Sequence, residues 1–166
     1  MAQSRNLLRV MLDAKTLFAG ILWPRWPYEV LRHALRRDFD LVLAEQVIIE
    51  THRNLARYDK NSSTHLENFL MLTRYQLIPM PSPEEVARNT SLMRDPTDVP
   101  IALAAMAARV DVFITQDRDF TDRDASTVEL HRRLAILLPG TFLREHMGWN
   151  AESLEAIRQR TWRDLS

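Results

Sequence analysis

The sequence predicts an α/β fold built on a mostly parallel sheet, and three observations predict it. Short apolar runs alternate with longer amphipathic segments, the order of strand and helix that a parallel sheet requires. One run, Val112-Phe113-Ile114-Thr115, is apolar without alternation, as in a strand covered on both faces. The segment just before it, Ile101 to Ala108, reads as a helix apolar all round, so it should be buried on several sides.

Each element follows from local chemistry. The run Leu7 to Leu12 predicts a first strand that ends at Asp13. Lys15 to Trp23 is helical in character until Pro24 stops it, and Pro27 starts a second helix, Tyr28 to Arg37, with Val30, Leu31, Ala34 and Leu35 on its apolar side. Asp40 to Leu43 predicts a second strand. Glu45 to Tyr58 is amphipathic, with Val47, Ile48, Thr51, Leu55 and Tyr58 near one face. Ser62 or Ser63 can cap a helix that buries Leu66, Phe69, Leu70 and Leu72 and runs to about Tyr75; Gln76 to Pro79 suits a brief strand. Ser82-Pro83-Glu84-Glu85 combines a capping serine, an N-terminal proline and first-turn acids, a strong helix start. Asp95-Pro96-Thr97-Asp98 predicts a turn, Ala135 to Leu138 a last strand, and Asn150 to Leu165 a terminal helix carrying Leu154, Ile157, Trp162 and Leu165.

Composition bounds the function. A chain of 166 residues suits one domain with a real core. No apolar run is long enough to span a bilayer, and the opening residues, broken by Arg9 and Asp13, do not read as a secretory signal, so a cytoplasmic protein is expected. Three glycines exclude phosphate-cradling glycine-rich loops, and the absence of cysteine excludes thiolate metal sites. Net charge is zero, yet the charge is uneven. From Met1 to Arg37 seven bases, Arg5 among them, face two acids; from Glu84 to Asp124 nine acids face five arginines. An acidic metal pocket beside basic surfaces fits that map, and so do two ordinary solvated faces.

The acids carry the chemistry. Asp13 and Asp117 each follow an apolar strand, and active sites in open parallel sheets form beyond the carboxyl ends of strands. Asp98 stands at the start of the alanine-rich helix, Asp95 just before it, and Glu50 at the margin of its helix's apolar face. Clustered carboxylates repel one another unless protons or cations neutralise them. Hard divalent cations prefer oxygen ligands and can deprotonate a water for attack on a phosphodiester. Singly, Asp95 also reads as a turn residue, Asp98 as a helix cap and Glu50 as a solvated acid.

Four segments in this order resemble the PIN-domain ribonucleases, a family that includes the VapC toxins of bacterial toxin–antitoxin pairs. They are Leu-Asp-Ala-Lys-Thr-Leu (12–17), Glu-Gln-Val-Ile-Ile-Glu (45–50), Asp-Pro-Thr-Asp-Val-Pro-Ile-Ala-Leu-Ala-Ala (95–105) and Val-Phe-Ile-Thr-Gln-Asp-Arg-Asp-Phe (112–120). Residues 137–143 also look like the family's closing strand and helix, so the resemblance covers roughly Leu7 to Arg144. It implies a three-layer fold with helices on both faces of the sheet, a nuclease domain over 1–147 and a C-terminal helical extension over 148–166. It implies that Asp13, Glu50, Asp98 and Asp117 are the catalytic acids and bind one or two Mg2+ or Mn2+ ions, with Asp119 as an additional acid; Asp95, from its place just before Asp98, is a further candidate. Thr115 would help hold the site, and Thr16 would hydrogen-bond Asp13 or water at the metal. Where the family usually has a small polar residue, this chain has Lys15, which can contact a phosphate or stand in for a metal.

The resemblance further implies an RNA substrate, a protein antitoxin and a possible homodimer. A housekeeping nuclease shares the same chemistry. An aspartyl-phosphate phosphatase would need a second acid two residues after its nucleophile, where Lys15 stands. A binding or scaffold protein on the same fold is the non-catalytic alternative. Trp23, Trp26 and Tyr28 lie among arginines and can stack on RNA bases or pack in the protein; Arg132, Arg133 and Arg158-Gln-Arg160 can touch phosphate or solvent.

Overall fold

The computed structural model describes residues 6–123, 125 and 127–166. Arg5 and Asp124, which contribute to the uneven charge, lie outside the described residues. Five strands form one sheet: β1 (Arg9–Leu12), β2 (Asp40–Ala44), β3 (Gln76–Ile78), β4 (Val112–Ile114) and β5 (Ala135–Leu137). Their order is β3-β2-β1-β4-β5, and every pairing is parallel. The chain therefore builds outward from β1 through β2 to β3, then returns to lay β4 against the other side of β1. The β1–β4 junction is the point where strand order reverses, and ligands of open parallel sheets bind beyond such a junction. The central strands bury nearly every residue; the edge strands β3 and β5 leave Gln76, Leu77 and Ala135 exposed.

The helices fall into two groups. α1 (Ala14–Leu22) packs on α2 (Trp26–Leu35), α3 (Glu45–Tyr58) and α4 (Ser62–Leu72), and α2 also meets α9 (Pro139–His146). A second group joins α5 (Pro83–Arg88), α6 (Val99–Ala107) and α8 (Val128–Arg133). The one-turn α7 (Arg118–Thr121) lies against β5, and α10 (Ala151–Ala156) against α9. This is the expected α/β layering. As its composition demands, α6 buries Val99, Ala102, Ala104 and Ala105 on more than one side, although Ala107 reaches solvent. No helix among the described residues is long and apolar enough to cross a membrane.

Several expectations require correction. Neither Ser62 nor Ser63 caps α4 from outside: Ser62 is its first residue, and the Asp59 carboxylate accepts from the Asn61 amide and the Ser62 hydroxyl. Leu72 ends that helix at 69% exposure. The buried stripe is Ser62, Leu66, Phe69 and Thr73, and at 3.6 residues per turn Leu72 lies roughly 80° off it. Tyr58 is exposed at the end of α3, its ring edge-on to Phe18 and Trp23. The terminal helix is not continuous. It stops at Ala156, and a 3-10 turn (Trp162–Leu165) restarts after Thr161, whose capping box with Asp164 sets extended backbone there.

The aromatic residues among the arginines pack in the protein. The Trp26 indole donates to the Leu154 carbonyl at 2.8 Å, and Tyr28 meets Trp162 edge-on. The C-terminal segment lies on the α1–α2 turn through Trp162, whose indole donates to the Leu22 carbonyl, and through Arg160, which donates to the Pro24 carbonyl.

Candidate active site

The site is assembled at the carboxyl ends of β1 and β4. Asp13 is the residue after β1 and the N-cap of α1; its Oδ1 accepts the Thr16 amide at 2.8 Å. The β1–β4 register pairs Leu12 with Ile114, which sets Asp13 beside Thr115. The fully buried Thr115 hydroxyl donates to Asp13 Oδ2, and Thr115 Oγ1 accepts the Asp117 amide at 3.0 Å. Asp117 in turn caps α7, accepting the Asp119 amide at 2.9 Å. A chain of local caps thus fixes both strand-end acids. The Thr16 hydroxyl, also fully buried, sits 3.4 Å from the Ile114 carbonyl and helps hold the Asp13 carboxylate.

Asp98 and Asp95 divide their work differently from the sequence reading. Asp95 makes the capping bonds, accepting the Thr97 amide at 3.0 Å and the Thr97 hydroxyl at 2.8 Å. These bonds hold its carboxyl below the usual range. Asp98 occupies the N-cap position of α6 but makes no capping bond. Its Oδ2 is buried and has no donor among the described residues. Asp98 is therefore not explained as a helix cap.

A pocket of about 310 Å³ opens among Asp13, Glu50, Asp98 and Asp117. Glu50 comes from the facing side of α3, where Gln46 donates to its Oε1 at 2.7 Å. Lys15, Thr97 and Phe120 complete much of the wall, and Lys15 is its sole cationic side chain among the described residues. Beside the pocket, one oxygen each from Asp95, Asp98 and Asp119 lies within 4.8 Å of the others. Asp98 is the member common to both groupings. Arg94 holds Asp119 through Nε and Nη2, at 3.0 and 2.7 Å. Neither Arg94 nor Gln46 was singled out from sequence. The i,i+4 spacing of Gln46 and Glu50 is a usable signal, whereas Arg94 and Asp119 meet only through the tertiary fold.

Electrostatics follow from this crowding. Burial, followed by the charges of Asp117, Asp95 and Asp119, pushes the Asp98 carboxyl up to about 7. Burial also raises Asp13, against the opposing hydrogen bonds of Thr115 and Thr16. An acid of this kind is a carboxylate awaiting a counter-charge. A hard divalent cation fits the donor set: it would be held by oxygen alone, and would give the buried Asp98 Oδ2 the partner it lacks.

The PIN domain family model matches residues 9–119, from the first residue of β1 to the acid inside α7. The chain belongs to the PIN domain family. Membership supports a nuclease. Solved structures share the fold at low identity. PAE2754 from Pyrobaculum aerophilum is 18% identical with a TM-score of 0.59, the match covering 86% of this chain and 97% of that one. VapBC2 from Rickettsia felis, bound to a DNA fragment from its promoter, is 15% identical with a TM-score of 0.54, covering 79% and 98%. FitAcB from Neisseria gonorrhoeae is 16% identical with a TM-score of 0.53, covering 78% and 97%. None of the curated proteins compared matches the chain significantly.

Proposed function

We propose that this PIN domain is a Mg2+- or Mn2+-dependent endoribonuclease, the toxin of a toxin–antitoxin pair. The observation that carries the reading is the set of Asp13, Glu50, Asp98 and Asp117 around one pocket, with an oxygen of Asp98 buried and lacking a donor. Asp13, Asp98 and Asp117 would hold the cation, with Glu50 across the pocket and Asp119 and Asp95 supporting from beside it. When bound, the cation would supply charge neutralisation and a water acidic enough to attack a phosphodiester.

The protein's own residues supply placement. Thr115 fixes Asp13 and Asp117 against each other, and Thr16 fixes Asp13 from the helix side. Lys15 stands on the pocket wall, where it can meet a phosphate oxygen of RNA. The toxin reading rests on the likeness to VapBC2 and FitAcB, and with it goes an antitoxin partner; a homodimer is expected from the family resemblance alone. Residues 148–166 are read as an addition to the nuclease domain, and a cytoplasmic setting completes the proposal.

Cleavage of labelled single-stranded RNA by the purified chain tests it, run with Mg2+ or Mn2+, with EDTA, and with Asp13→Asn and Asp117→Asn. Cutting that needs the ion and both aspartates is the expected result. A folded protein that binds Mn2+ in calorimetry yet cuts no RNA would instead be a binding protein on this fold, with Lys15 the first residue to replace.

A further inference from the structure

A second cleft, of about 430 Å³, lies beyond the carboxyl ends of β4 and β5. Gln116, on its wall, is joined directly to Asp117, on the wall of the pocket. The cleft is walled by the α1–α2 turn, with Arg25 and Trp26; by the β5–α9 junction, with Leu138 and Pro139; and by Arg158 of the C-terminal segment. Its chemistry is opposite in sign to the pocket's. Arg25 donates Nε to the Arg160 carbonyl, which leaves its terminal amines for other acceptors. Arg158 is more than half exposed, with Glu155 at 3.9 Å. The first turn of α9, which Leu138 precedes without a side-chain cap, adds the positive end of an eight-residue helix. Between these charges the surface is apolar. Leu138 is 47% exposed, and Trp26, its indole N–H already used, offers ring surface alone.

Resting on the nuclease reading, we infer that this cleft binds the base and adjoining phosphate of an unpaired RNA nucleotide next to the one being cut. An apolar platform between guanidinium groups is what an unstacked base and its phosphate need, whatever the base. The Gln116 amide carries both a donor and an acceptor for a base edge. Gln116 and Asp117 are consecutive residues, so a strand of RNA with its scissile phosphate at Asp117 has a neighbouring nucleotide within reach of the cleft. It also gives the C-terminal segment, through Arg158, a part in holding substrate.

The test uses the full chain and fluorescence anisotropy, in EDTA and again with Ca2+. The probes are a labelled twelve-nucleotide oligouridylate and an abasic chain of the same length. Wild type should favour the base-bearing probe by about fivefold or more, the stacking contribution of one base. Leu138→Ala should lose that preference. Arg158→Ala should weaken both probes and flatten the salt dependence, while Arg57→Ala, on exposed α3 surface, should change neither. Equal binding of the two probes by wild type, or a preference kept in Leu138→Ala, overturns the inference. Cleft variants that all bind RNA as wild type does would also overturn it. Cleavage is scored separately, so the two readings fail apart: cutting with no base preference leaves the nuclease without the cleft, and a Leu138-dependent preference without cutting leaves the cleft without the nuclease.

Discussion

The Thr115 hydroxyl donates to the Asp13 carboxylate while accepting the Asp117 amide, so one buried oxygen ties together the segments that follow β1 and β4. Valine has nearly the same shape but neither function. Thr115→Val should cost ~1–3 kcal/mol of stability, because it strands a buried acceptor and a buried amide. RNA cleavage should fall roughly 10–100-fold, the usual effect of losing a group that orients a metal ligand. Thr115→Ser should keep most of both. Urea denaturation and cleavage rates for the three proteins decide this; valine and serine variants that behave alike would remove Thr115 from the site's support.

Asp98 sets stability against pH. Its carboxyl ionises near 7 in the folded chain and near 3.8 when free. Between those values the folded state holds the extra proton, so ionisation favours unfolding and stability falls as pH rises from about 4 to about 7, then levels. Asp98→Asn cannot ionise. In EDTA its melting temperature should exceed wild type by about 3 °C at pH 8, with the gap closing toward pH 4, while cleavage is lost. A gap that does not change with pH would mean Asp98 carries no repelled charge.

The same carboxyl should make cation binding release protons. With ionisation near 7, Asp98 is about nine-tenths protonated at pH 6 and about one-tenth at pH 8. Mn2+ titration in buffers of different ionisation enthalpy should therefore show close to one proton released per ion at pH 6 and few at pH 8. Apparent affinity should rise about tenfold per pH unit below 7. Identical proton counts at both pH values would exclude Asp98 as a ligand.

The sheet was readable because β1 and β4 are short, mainly apolar runs with an aspartate one and three residues beyond their ends, and strand ends are where parallel sheets gather their chemistry. The positions of Asp13 and Asp117 followed from that alone. The division of labour between Asp95 and Asp98 did not, because both occupy plausible capping positions and only the backbone angle at Asp98 removes its side chain from the cap. α7 and α8 were missed because they are single short turns with no full amphipathic period. The break after Ala156 was hidden because Trp162 and Leu165 keep a helical spacing from Leu154, although Trp162 is drawn aside by the Leu22 carbonyl. The Arg94–Asp119 pair joins residues whose separation carries no local pattern.

Gly20 lies where α1 meets α2. A β-carbon there would sit 2.6 Å from Leu31 Cδ1 and 3.1 Å from the Pro27 carbonyl oxygen. Leu31 is 3% exposed and has little room to yield. Gly20→Ala therefore sets a helix-propensity gain of ~1 kcal/mol against overpacking of ~1–3 kcal/mol. A net loss of about 1–2 kcal/mol is expected in urea denaturation, and a stabilised variant would show that the helix pair can separate at little cost.

Arg160 should anchor the C-terminal segment through a buried acid. Glu29 is 2% exposed and is met by Arg160 at 2.7 Å and by the half-exposed Arg32 at 3.3 Å. Arg160→Ala leaves the carboxylate buried with the weaker partner, at a cost of about 3 kcal/mol. Adding Glu29→Gln removes the stranded charge and should recover much of the loss, which separates a broken ion pair from lost packing. The Arg160 carbonyl also holds Arg25 in place at the α1–α2 turn. The double variant should therefore recover stability without disturbing RNA binding, because that contact comes from the main chain. Ending the chain after Ala156 removes the carbonyl as well, so it should lower both stability and oligouridylate affinity. If truncation costs stability alone, the C-terminal segment is a clamp on α2 and no more.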